Sequence, residues 1–213
     1  MKEYIVHGTQ QENLIHILQD GYIDTKPPKK NITMLKDKLP KQIFTQLIYK
    51  DIPNQEKESP HWWNSAIILD KSILKDYPFY ATYVGGFSDK FENGMKSDNV
   101  IIYGEGNLSR MPNLTKLKNK INKSMEQLKY DNDEAKSSTF IHTNEILFNR
   151  KIPLDKYCIK IIIYKYKDNK YTKEMTKISE LAKEKNINLK FIDISLIDKK
   201  KPLDYFINSI ESD

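Results

Sequence analysis

The sequence predicts an α+β fold, and three features carry that prediction. Short apolar runs rich in Ile, Val and Tyr recur along the chain, with helical segments placed irregularly between them. The strict strand-helix alternation that marks a doubly wound parallel sheet is missing. The seven glycines form neither a GxGxxG nor a GxxxxGK[ST] pattern, which argues against a Rossmann dinucleotide fold and a P-loop.

Taken in order, residues 3–7 read as a strand and Thr9 to Gln19 as a helix. Leu14, Ile17 and Leu18 give that helix its apolar stripe, and Asp20-Gly21 stops it. Tyr22-Ile23 is a short extended piece. Thr25 to Lys41 carries three prolines and many lysines without a period, and reads as a surface loop, a lid or binding loop. Gln42 to Tyr49 alternates weakly and fits either a short helix or a strand, whereas Asp51 to Pro60 is a polar loop. Ala66 to Leu69 has the signature of a buried strand. Asp70 caps a helical turn over Lys71 to Lys75, and Pro78 ends it.

Phe79 to Val84 and Val100 to Tyr103 are further strands, aromatic and β-branched in composition. The clearest helix runs from Asn113 to about Tyr130, with Leu114, Leu117, Ile121, Met125 and Leu128 on one face. A polar connector leads to the strand opened by Glu145, and a second apolar strand covers Tyr157 to Tyr164. After it come a lysine-rich amphipathic helix over 170–186, a strand from Leu189 to Ile194, and a last helix that Pro202 opens. This divides the chain into a core, 1–165, and a helix-strand-helix extension, 166–213, packed on the same domain.

With 213 residues, 38% hydrophobic and 30% charged, the chain can bury one substantial core. It has no apolar stretch of membrane-spanning length and opens on a strand-like EYIVH rather than a signal peptide, so a soluble cytoplasmic protein with no membrane partner is expected. The single cysteine, Cys158, excludes an internal disulfide and a cysteine-based zinc site, and its apolar neighbours suggest a buried structural thiol in a reducing compartment. The net charge of +6 comes almost wholly from lysine, because Arg110 and Arg150 are the only arginines. That argues against a sequence-specific DNA reader, which uses the arginine fork on guanine. A lysine-coated solvated surface, or diffuse attraction to an anionic ligand, fits better.

The four histidines, His7, His16, His61 and His142, include no HExxH pair, and no GxSxG elbow supports a serine hydrolase. What remains is a strand running into His7-Gly8-Thr9, the aromatic strand with Tyr80 and Tyr83, and Glu145 at the mouth of an apolar strand. A carboxylate entering a sheet needs a partner or a task. His7 offers a donor and an acceptor on a rigid strand, and Gly8 exposes backbone polar groups. The tyrosines offer flat amphipathic faces. Glu145 can hold sugar hydroxyls and stabilise an oxocarbenium-like centre. Each residue also has a plain structural reading: a satisfied strand end, core aromatics, a strand opener.

The run Tyr4-Ile5-Val6-His7-Gly8-Thr9, with Asn13-Leu14 and Ile17-Leu18 before Gly21, resembles the opening of ADP-ribosyltransferases of the diphtheria-toxin and poly(ADP-ribose)-polymerase type. Asn144-Glu145-Ile146-Leu147-Phe148 followed by Ile152-Pro153-Leu154 resembles their strand with the catalytic glutamate, and Pro78-Phe79-Tyr80-Ala81 their Tyr-x-Ala strand. The resemblance spans about residues 3 to 165. It implies a split, mixed or antiparallel sheet flanked by helices, with NAD⁺ as substrate and no metal. His7, Gly8 and Thr9 would bind NAD⁺, His7 at the nicotinamide-ribose hydroxyl and Gly8 at the carboxamide through its backbone. Tyr80, or Tyr83, would stack on the nicotinamide, and Glu145 would drive transfer to a protein or nucleic-acid acceptor. Thr143 stands where arginine-directed members carry a second glutamate, so arginine modification is not expected. The lysine-proline loop and Trp62-Trp63 would be insertions.

Two other readings compete. His7-x-Thr9 could be one arm of a two-histidine phosphodiesterase acting on cyclic nucleotides or RNA ends, although His142-Thr143-Asn144 gives only HxN for the second arm. A non-catalytic module binding nucleic acid or ADP-ribose is the other.

Overall fold

The computed structural model describes residues 2–25, 42–50, 52, 64–82, 101–103, 113–130, 144–165, 172–193 and 202–212. In chain order the elements are β1 (Glu3–Thr9), α1 (Gln11–Asp20), β2 (Tyr22–Ile23), β3 (Ile43–Tyr49), β4 (Ser65–Leu69), α2 (Ile73–Asp76), β5 (Phe79–Thr82) and β6 (Ile101–Tyr103). They continue with α3 (Leu114–Tyr130), β7 (Glu145–Phe148), β8 (Ile152–Pro153), α4 (Leu154–Tyr157), β9 (Cys158–Lys165), α5 (Lys173–Glu184), β10 (Leu189–Asp193) and α6 (Pro202–Glu211).

Eight strands form one sheet in the order β10-β9-β4-β1-β3-β7-β5-β6. Only β10 and β9 run parallel; every other neighbouring pair in that sheet is antiparallel. The fold is therefore α+β with a mixed, mainly antiparallel sheet, as the irregular spacing of strands and helices predicts. The weakly alternating segment from Gln42 to Tyr49 resolves as a strand, β3, and it lies at the centre of the sheet. Both of its faces are covered, so six of its seven residues are buried and the alternation is blurred.

A two-stranded ribbon joins the two motif regions. Gly21 ends α1 in the left-handed conformation (φ 81°), where a side chain would be strained, and its N–H donates to the Ile17 carbonyl. The Gly21 carbonyl in turn accepts from the Leu154 N–H at 2.9 Å, and Tyr22-Ile23 pairs with Ile152-Pro153. The glycine after the first helix and the apolar step after Glu145 are thus hydrogen-bonded neighbours.

The register assigns residues to faces. Tyr4, Val6, Phe44, Gln46, Ile48, Glu145, Leu147 and Tyr80 share one face, because opposed residues of antiparallel strands project the same way. Over the β1–β4–β9 half of this face lies α6. The Tyr4 hydroxyl donates to Glu211, Tyr164 stacks on Phe206, and the buried Lys160 ammonium donates to the Ile210 and Ser212 carbonyls at 2.9 and 2.7 Å. The opposite face takes α3. There Tyr49 bonds Asn122, and Lys118 meets Glu3, whose side chain is nearly buried and also pairs with Lys71. Burial alone would raise the Glu3 pKa, but the two lysines outweigh it and hold the carboxyl below its ordinary value.

Candidate active site

The site is set by where β1 stops pairing with β3. On its β4 side β1 stays in register to its last residue, Thr9↔Ser65. On its β3 side the pairing ends at Val6↔Gln46. In an antiparallel ladder peptide groups point alternately to the two neighbouring strands. The Leu47 N–H donates to the Asn144 carbonyl at 2.8 Å, so odd-numbered β3 residues turn their peptide groups to β7, and Gln46 and Phe44 turn theirs to β1. Val6 therefore faces β3, and so does Gly8 two residues on, at a level where the β1–β3 pairing has already ended. Its N–H and C=O point into the gap.

His7 spans that gap. Its Nδ1 lies 2.8 Å from the Phe44 carbonyl oxygen, where the next ladder bond would fall. A carbonyl only accepts, so Nδ1 carries the proton and a neutral imidazole has Nε2 as its acceptor. The gap is partly open to solvent. Within the strands around it, His7, Gly8, Phe44 and Tyr80 are half-buried while their neighbours Ile5, Val6, Ile43, Leu47, Phe79 and Ala81 are buried.

Two rows of residues cross the sheet here. One is Val6, Gln46 and Glu145, and the other is Phe44, Leu147 and Tyr80. His7 falls between the rows. Its strand and that of Glu145 are not neighbours: β3 lies between them, which at ordinary strand spacing places β1 about 10 Å from β7. Glu145 and Tyr80 share a face, and two residues along β7 separate their rows, so their side chains are roughly 7–8 Å apart at the root. Alternation roots His7 on the other face, and its ring turns into the gap to meet the Phe44 carbonyl. Glu145 is 6% exposed. Its strand entry is pinned by Asn144, whose side-chain amide donates to the Leu47 carbonyl at 3.3 Å and replaces a backbone rung.

Thr9 is buried, and its carbonyl accepts from the Ser65 hydroxyl at 2.7 Å, so it fastens the end of β1 to β4. The adjoining Asn64 side chain accepts from the Gln11 N–H at 2.7 Å and secures the first turn of α1. His16 is exposed on α1. Tyr83, His61, His142 and Thr143 lie outside the described residues. The Cys158 thiol donates to the Lys160 carbonyl, and burial pushes its pKa up to about 12, which keeps it protonated and unreactive at neutral pH. Among the described residues, no group of three His, Cys, Asp or Glu side chains gathers to hold a metal ion.

Three positions escape the sequence reading: Phe44, Gln46 and Asn144. The first two sit on β3, whose type the weak alternation leaves open, so no face could be given to them. Asn144 stands beside Glu145 in the motif, but nothing in the sequence tells that its amide mimics a backbone rung.

No protein-family model and no curated protein matches the chain. Among solved structures it is similar to Thermus sp. 2.9 DarT in complex with carba-NAD⁺, at 14% identity and a TM-score of 0.47 over 90% of this chain and 94% of that one. The same protein in complex with NAD⁺ gives 13% and 0.46 over 89% and 94%, and in complex with ADP-ribosylated ssDNA 13% and 0.45 over 89% and 93%.

Proposed function

We propose that the chain is an ADP-ribosyltransferase that uses NAD⁺ as substrate. The observation that carries this reading is the gap between β1 and β3, into which Gly8 turns a backbone donor and acceptor beside His7. A carboxamide needs one acceptor for its NH₂ and one donor for its C=O, and the Gly8 peptide supplies both. Phe44 and Tyr80, half-buried on β3 and β5, offer the aromatic surface against which a nicotinamide ring stacks. The His7 imidazole, held through Nδ1, accepts from a ribose hydroxyl with Nε2.

Glu145 then acts on the sugar. As the bond between C1′ and the nicotinamide nitrogen breaks, nicotinamide leaves with the electron pair and positive charge grows on the ribose. A carboxylate inside the sheet stabilises that charge better than water can. The acceptor's nucleophile attacks C1′, forms the new bond there and gives up its proton to solvent. Protein or nucleic acid is the acceptor, and residues 1–165 form the core that does this, with 166–213 packed as an extension.

The test is incubation with NAD⁺ labelled in the nicotinamide and, separately, in the adenylate, with protein and single-stranded nucleic-acid acceptors. Nicotinamide release and label transfer are expected. Glu145→Gln should lower both by about 10²–10³-fold while NAD⁺ still binds. Absence of both release and binding by the wild-type protein overturns the reading.

A further inference from the structure

Gln46 is 7% exposed, and among the described residues none hydrogen-bonds its side-chain amide. Gln46 is thus a polar side chain, over nine-tenths buried, to which the described residues supply no hydrogen bond. A buried amide without a partner is a liability to the fold, because its desolvation goes uncompensated. It becomes intelligible if a ligand completes it.

Its place identifies the ligand. Gln46 is directly opposite Glu145, and Leu47↔Asn144 is the bonded rung, so Gln46↔Glu145 is the non-bonded kind in which side chains stand closest, with Cα atoms about 4.5 Å apart. An amide and a carboxylate side by side on one face, not bonded to each other, match two adjacent hydroxyls on a ring. The carboxylate accepts from one hydroxyl, and the amide accepts from or donates to the next.

We infer that Gln46 binds substrate, and that with Glu145 it grips the vicinal hydroxyls of the nicotinamide ribose. This rests on the NAD⁺ reading above and adds a specificity residue to it. Gln46 selects a cis-diol sugar over a deoxy sugar.

The test measures affinity by calorimetry for carba-NAD⁺ and for derivatives lacking one hydroxyl of its nicotinamide-bearing ring. Wild-type protein should favour carba-NAD⁺ over at least one deoxy derivative by roughly tenfold, the weight of one hydrogen bond. Gln46→Leu should bind carba-NAD⁺ about tenfold more weakly and lose that preference. Its ligand-free melting temperature should equal or exceed the wild-type value, since an unpartnered amide has gone. Gln46→Asn, which withdraws the amide by one methylene, should lose the preference as well. The inference is overturned if Gln46→Leu keeps wild-type affinity and preference, or if it melts clearly lower without ligand, since Gln46 would then be holding the fold. Failure of the wild-type protein to bind carba-NAD⁺ at all sinks the NAD⁺ reading itself, an outcome distinct from the other two.

Discussion

The two edges of β1 have different fates. Toward β4 the strand is paired to its end, and Ser65 and Asn64 close off the last polar groups with side-chain bonds. Toward β3 the ladder stops three residues short of the end of β1, and an imidazole stands where a backbone bond would be. The buried polar residues on the two sides differ in the same way. Lys160, on the β4–β9 side, spends its charge on two carbonyls at the end of α6. Gln46, on the open side, has no such partner among the described residues. On the closed side the protein itself completes the buried charge, and on the open side the proposed ligand would complete the amide.

Removing the Lys160 ammonium should have the largest effect on folding. Lys160→Met keeps the stem but strands two carbonyls, so unfolding free energy should fall by about 2–3 kcal/mol in urea titration. NAD⁺ affinity of the folded fraction should stay within twofold. A larger loss of binding would mean that the closed half shapes the site, and the contrast between the halves would fail.

Gly8→Pro tests the open edge. Proline removes an N–H, which is tolerated where that N–H does not serve the ladder. The variant should fold with a loss below about 1 kcal/mol yet bind NAD⁺ at least tenfold more weakly, as one buried donor is lost. If it does not fold, the Gly8 N–H belongs to the sheet and the gap is not a binding site.

The smallest effect concerns Glu3, on the closed end of β1. Its carboxyl titrates below the ordinary value in the folded protein, so its stabilisation is complete above the unfolded pKa and is lost as pH falls through the folded one. Glu3→Gln should therefore be less stable than wild type by about 0.5–1 kcal/mol at pH 7, and the two should converge at low pH. A difference that persists unchanged at low pH would show that Glu3 acts through shape rather than charge.

Much of this molecule is written locally. The stripe of Leu14, Ile17 and Leu18 and the stop at Gly21 fix α1, and the buried run from Ala66 to Leu69 marks β4. His7-Gly8 at a strand end and Asn144-Glu145 at a strand start are visible as polar groups where apolar ones belong. A period of two or 3.6 residues records which face of a segment is buried, and each segment carries it alone.

Strand order carries no such local record. That β3 lies between β1 and β7 is decided by pairing among segments distant in the chain, each rung weak and only the sum decisive. From that order follow the features on which the proposed function rests: the ladder opens after Val6, Gly8 faces the opening, and Gln46 stands against Glu145. The sequence by itself determined which polar residues stand at the ends of two strands. Only the tertiary structure decided which strand stands between them and what it contributes, because neighbours across a sheet are chosen by the whole sheet.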